Sequence, residues 1–166
     1  ECLLPLGKHA ELEAALNRFW PAFQKAMWAA ILDRIGLVSI NDEADAGLVT
    51  ALFTFLHASQ APFEQFFFDW RGGRLSAERA ARSPEAEHYR SKAFAPLGAL
   101  IENYAPATNA NLDHPYFLGE RPRTMLIDEM EALWAPIAER DDWSALAAAL
   151  TEIESMRQAY SATAGS

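Results

Sequence analysis

WPAFQKAMWAAILDRIGLVSINDEADAGLVTALFTFLHASQAPFEQFFFDW, residues 20–70, holds two helix boundaries and one aromatic run in a fixed order. Leu12, Leu16, Phe19, Phe23, Met27 and Ile31 recur three or four apart, which predicts one buried helix face leading into this stretch, with Pro21 as a kink or a fresh start. Gly36, after Asp33-Arg34-Ile35, suits the left-handed position that stops a helix. Asn41 then caps a second helix. Asp42, Glu43 and Asp45 complement the positive end of its dipole, and Leu48, Leu52, Phe55 and Leu56 form its inner stripe to about Ser59. Pro62 opens a short aromatic helix through Trp70, closed by Gly72-Gly73.

The same punctuation extends to the C-terminus. Ser83-Pro84 reads as a cap and first-turn proline for a helix to about Tyr104, bent at Pro96. Residues 105–122 carry three prolines and no period, which predicts a long surface crossing. One further helix uses Leu126, Met130, Leu133 and Ile137 with a disturbance at Pro136. The last is capped by Asp141 or Asp142 and uses Leu146, Leu150, Ile153 and Tyr160. Strand patterns and internal repeats are missing. The expected fold is all-α: an irregular multi-helix domain of about six helices over residues 1–160, with a flexible tail at 161–166.

Composition narrows the class without reaching a function. At 166 residues and 51% hydrophobic, the chain can bury one substantial core. Fourteen basic against 23 acidic residues leave a net charge of −9, which repels a phosphate backbone and disfavours nucleic acid. The lone Cys2 excludes an internal disulfide and fits a reducing compartment, the cytoplasm being the simplest address. No apolar run approaches the roughly 20 residues of a membrane span, and no signal peptide is legible. The chain begins at Glu1 and at once presents Cys2, Leu3, Leu4 and Leu6, so it reads as the carboxy-terminal piece of a larger protein.

The chemical motifs are incomplete. Glu85 and His88 have the Glu-x-x-His spacing of di-iron bundles but lack the second copy such a site needs, and a solvated helix face is the expectation. Asn41, Glu43 and Asp45 imitate a calcium loop, yet its glycine is one place late and Leu52 stands where the closing glutamate belongs. Asp128, Glu129, Glu131, Asp141 and Asp142 find no basic or nucleophilic partner, and His9, His57 and His114 are scattered. Hydrolase elbows, phosphate-binding glycine loops and dinucleotide fingerprints do not occur. No catalytic, cofactor-binding or metal-binding residue is assigned.

Two features remain. Residues 71–92 carry six basic side chains (Arg71, Arg74, Arg79, Arg82, Arg90, Lys92) against three acidic ones, a solvated linker or a dock for an acidic surface. Phe63, Phe66, Phe67, Phe68 and Trp70 cannot all face one core from one short helix, which predicts that part of this cluster covers another surface.

In order and spacing these parts resemble the carboxy-terminal region of the selenoprotein O family, known in bacteria as YdiU. The resemblance rests on Leu3-Leu4-Pro5-Leu6, on Arg34-Ile35-Gly36-Leu37 against a Lys-Leu-Gly-Leu element, and on the acid-led helix Asp45 to Leu56. It continues in the phenylalanine-rich segment Pro62 to Arg71 and, loosely, in His114-Pro115-Tyr116-Phe117-Leu118 against an Asn-Pro-x-x-x-x-Arg-Asn element. Gly119-Glu120 stands where the Arg-Asn pair is expected, and no redox cysteine lies near the C-terminus. The resemblance implies a pseudokinase-like protein that transfers AMP from ATP to protein hydroxyls with a divalent metal such as Mg, in bacterial cytoplasm or mitochondria. The nucleotide and metal ligands of that family lie upstream of the matched region, so none is carried onto these residues. The chain would be the non-catalytic helical part, with a missing N-terminal kinase-like part and protein substrates as its partners. The alternative is a stand-alone helical binding module that uses the Phe63–Trp70 surface and the basic segment.

Overall fold

The computed structural model describes residues 8–108 and 110–161. Cys2, the Leu3-Leu4-Pro5-Leu6 element and, beyond Ser161, the expected tail lie outside the described residues. Among the described residues the fold is all-helical, with eight α-helices and two 3-10 turns. The helices are α1 (His9–Ile35), α2 (Asp42–Ser59), α3 (Phe63–Asp69), α4 (Ala77–Arg82), α5 (Ala86–Tyr89), α6 (Ala95–Ile101), α7 (Ile127–Arg140) and α8 (Ser144–Tyr160). Gly73–Ser76 and Pro115–Leu118 form the 3-10 turns.

Helix α1 runs unbroken through Pro21 and stops at Gly36, whose φ of 74° is the left-handed conformation the sequence predicts. The stop is tightened by Gly36 N–H on the Asp33 carbonyl and Leu37 N–H on the Leu32 carbonyl. Glycine is required there twice over, because a Cβ would also sit 3.3 Å from the Gly72 nitrogen. The 36–38 segment then pairs with 105–107 as a short strand-like bridge, Val38 N–H to the Ala105 carbonyl and Ala107 N–H to the Gly36 carbonyl. A part of the 105–122 crossing is thereby tied to the body, and its Phe117 is buried.

The Asn41 side chain accepts from Ala44 N–H at 2.9 Å and starts α2 as expected. Asp45 does more than offset a dipole. Nearly buried, it accepts from Ser39 Oγ, from Ile40 N–H and from the Tyr104 hydroxyl at 3.0 Å, joining the start of α2 to the end of α6. Leu48, Val49, Leu52 and Phe55 face the main core, where Ile31, Leu32, Ile35, Phe66, Phe67, Leu97 and Ile101 meet them.

Helix α3 reaches two cores. Phe66 and Phe67 pack into the main one, whereas Phe68 points into a smaller cluster with Phe117 and Ala159, bordered by Tyr116 and Tyr160. The aromatic run therefore covers two internal surfaces, and Phe63 alone of the five is substantially exposed. The expectation that this cluster leaves an external contact surface is corrected: the last helix and the 115–118 turn close over it.

The long helix expected from Pro84 to Tyr104 is broken into α5 and α6, and α4 was not anticipated, which raises about six helices to eight. Proline inside a helix removes a hydrogen bond and clashes with the preceding turn, so Pro96 sits in the first turn of α6 instead of bending a longer helix. Upstream, Asp69 pins the chain. Its carboxylate accepts from Ser83 Oγ at 2.6 Å, Tyr89 Oη at 2.7 Å and Gln65 Nε2 at 2.9 Å. The stripes expected on the last two helices are also shallower than predicted. Helix α7 buries no residue fully, Leu126 precedes it and is exposed, and Leu150 of α8 faces outward while Ala149 and Ala159 are buried. Asp142 rather than Asp141 accepts the Ser144 N–H, and Asp141 takes the left-handed end of α7.

Removing Asp69 strands the Ser83 and Tyr89 hydroxyls, while Gln65 Nε2 keeps the Glu120 carbonyl, so Asp69→Ala should cost about 3 kcal/mol on the scale of unsatisfied buried polar groups, read from urea unfolding at neutral pH. A loss below about 1 kcal/mol would show that the donors find other acceptors. Burial pushes the Asp69 carboxyl above its ordinary value, against the lowering effect of its hydrogen bonds and of Arg79. The unfolded chain therefore ionises first as pH rises. The stability of the wild type relative to Asp69→Asn should be greatest at low pH and fall as pH passes through the folded value, and a difference flat in pH would contradict this.

Candidate functional site

Asp69, Arg71 and Arg79 meet around Ser76 in one largely buried polar junction. Arg71, 6% exposed, donates from one terminal nitrogen to the Asp33 carbonyl at 2.7 Å and the Arg34 carbonyl at 3.1 Å, at the negative end of α1. Its guanidinium lies 4.7 Å from the Tyr160 ring centroid. Arg79 donates to the Arg71 carbonyl at 2.7 Å, the Asp69 carbonyl at 3.3 Å and Ser76 Oγ at 2.9 Å, and lies 4.6 Å from the Phe117 ring. Ser76 Oγ in turn donates to the Arg71 carbonyl. Burial lowers both guanidinium pKa values, and opposite charge acts against that. It raises the Tyr160 phenol to about 12, with the nearby arginines pulling the other way.

These contacts decide what the junction can do. Both oxygens of Asp69 and one terminal nitrogen of each arginine are occupied by the protein itself, while Arg71 Nε is buried without a partner. A cavity of about 270 Å³ opens beside them, lined by Asp69, Arg79, Arg82, Ser83, Phe117 and Glu120. That is small beside the roughly 300–1,000 Å³ of ordinary ligand sites, and it sets two carboxylates among its cations. Among the described residues no group of three or more His, Cys, Asp or Glu is placed to hold a metal. The residues lining this cavity do not fit a magnesium–nucleotide complex.

The other candidates are held apart. Glu85 and His88 approach to 3.4 Å, and Glu85 also faces Arg121 at 3.5 Å, so this pair is an ionic cluster, partly covered rather than fully solvated. Glu43 is exposed at the start of α2. Glu129 accepts from Thr124 Oγ1. His9 pairs with Glu13 at 3.5 Å, and His114 Nδ1 accepts from Tyr116 N–H to start the 115–118 turn. Of the six basic residues in 71–92, Arg71 and Arg79 are internal struts. Arg74, Arg82 and Lys92 are exposed, and Arg90 contacts Glu87 at 2.5 Å. As a continuous basic surface the segment is reduced to four side chains.

One exposed apolar surface lies where the sequence predicts core. Leu16, Phe19, Trp20 and Phe23 are 47–57% exposed, and only Ile31, Leu32 and Ile35 of α1 are buried. At 1.5 Å per residue the 27-residue helix is about 40 Å long and the 18-residue α2 about 27 Å. Lys25 meets Asp42 at 2.6 Å, so α2 starts alongside the second half of α1. Nothing in the described residues covers the first half. Phe19 and Phe23 stack at 5.6 Å, and Trp20 meets both edge-on. Periodicity marks this face as apolar and says nothing of what covers it. A groove of about 710 Å³ between α1 and α2, walled by Met27, Trp28, Val49, Phe53 and His57, continues the stripe.

A family model described as protein adenylyltransferase SelO matches residues 1–154. The protein nucleotidyltransferase YdiU of Gloeobacter violaceus (strain ATCC 29082 / PCC 7421) is 30% identical over 146 residues, covering 81% of this chain and 29% of the relative. The chain thus spans less than a third of the length of the curated relative it matches. No solved structure matches. With its helical fold and a match over nearly its full length, the chain belongs to the SelO family of protein adenylyltransferases.

Proposed function

We propose that this chain is the non-catalytic helical part of a SelO-type adenylyltransferase, with residues 1–160 acting as one unit at the carboxy-terminal side of a kinase-like part. In this reading the whole protein is cytoplasmic and transfers AMP from ATP to hydroxyl groups of protein substrates. ATP and Mg are held outside these 166 residues. The chain braces the kinase-like part and shapes the approach of protein substrates.

The observation that carries the reading is the state of the buried charges. A nucleotide site needs cations free to meet phosphates and carboxylates free to meet a metal. Here Arg71 and Arg79 are held on backbone carbonyls, and Asp69 accepts three internal donors. The same polar groups that could have formed a site fasten helices together. The 29% coverage of the relative supports the division of labour, since most of that protein's length has no counterpart here.

Isothermal titration of the isolated chain with ATP and magnesium should give no saturable heat, whereas the full gene product should transfer label from α-labelled ATP to protein. Micromolar ATP binding by the chain alone would overturn the assignment.

A further inference from the structure

The structure assigns the first half of α1, with the groove it leads into, as the surface that receives a helix from the remainder of the same polypeptide. This rests on the functional reading above and names the partner surface that reading leaves open.

Four observations converge. The stripe Leu16, Phe19, Phe23, Met27 follows one face of α1 at spacings of three and four, with Trp20 beside it, and at Met27 it enters the groove walled by Val49 and Phe53 of α2. It is therefore one continuous apolar track, and exposed patches of this kind mark contact sites. Secondly, the helix cannot stand on its own sequence: its outer half contains Pro21, which removes an internal hydrogen bond, and three aromatic residues of middling helix propensity. Helices hold their shape in water mainly by packing an apolar face. Thirdly, the matched relative is more than three times the length of the matched region, so a large covalently linked partner is at hand. Fourthly, a second copy is the poorer occupant, because pairing two chains of net charge −9 works against their mutual repulsion.

A helix is the element that fits. An extended strand laid on a helical face would leave its own backbone groups unpaired, whereas a helix satisfies them internally and presents side chains at matching three- and four-residue spacings. The polar groups beside the track are Glu13 on α1 and Gln24 and His57 at the groove, so the incoming helix would be apolar on one face with polar groups at its margins.

Hydrogen exchange on the full gene product, compared with the 166-residue chain, tests this. Amides of residues 9–26 should exchange at least about a hundredfold more slowly in the full protein, the difference between a frayed and a packed helix. The double variant Phe19→Glu/Phe23→Glu should abolish that protection in the full protein while leaving the urea midpoint of the isolated chain unchanged. Protection of other surfaces of this chain but not of 9–26 would overturn the surface assignment and leave the functional reading standing. No protected surface anywhere on the chain would sink both. Equal protection in the isolated chain, together with a dimer in sedimentation that the double variant dissociates, would make a second copy the occupant and overturn the inference.

Discussion

The Arg71 guanidinium on the last carbonyls of α1 is the contact from which the rest of the architecture follows. A helix end leaves four carbonyls without internal partners, and burying them unpaired is costly. Gly36 and Leu37 satisfy two of the last carbonyls through their own N–H groups. Arg71 takes the Asp33 and Arg34 carbonyls, and Gly72 N–H takes that of Ile35 at 2.6 Å. The 70–73 turn must therefore lie directly under the end of α1. A Cβ on Gly36 would sit 3.3 Å from the Gly72 nitrogen, and the φ of 91° at Gly72 is one that only glycine adopts readily.

Once the turn is placed, the two cores are fixed on either side of it. The chain entering at α3 carries Phe66 and Phe67 to one side and Phe68 to the other, and the chain leaving it returns Arg79 beneath Phe117 and Phe68. Tyr160, the last residue of α8, sits over Arg71. Helices as short as α4 and α5 have almost no intrinsic stability. They persist because Arg79, Ser83 and Tyr89 are tied to Asp69, Arg71 and Ser76. Buried ionic groups here select an arrangement of small pieces that apolar packing alone would leave ambiguous.

The sequence was most legible where one residue determines one local geometry. Gly36 as a stop and Asn41 as a cap needed no knowledge of neighbours, and α2 follows its stripe because both ends and the inner face agree. Legibility failed where a residue acts through distant partners. Nothing near Asp69 or Arg71 announces that one will collect three donors and the other will close a helix 37 positions earlier. Periodicity also says only that a face is apolar, not what covers it, so Leu16, Phe19 and Phe23 read as core while Pro84 to Tyr104 read as one helix. The family was recognisable for a related reason: order and spacing of local signals survive divergence better than any single contact does.

The clamp and the bare half of α1 are mechanically connected. From Phe23 to Ile35 is 12 residues, about 18 Å of helix, with Ile31, Leu32 and Ile35 gripped by the main core and the terminal carbonyls gripped by Arg71. Arg71, held on the terminal carbonyls, helps fix the direction in which α1 leaves the core. On this account the part of the chain that looks most like a site is support, and the part that looked most like core is where the support is aimed.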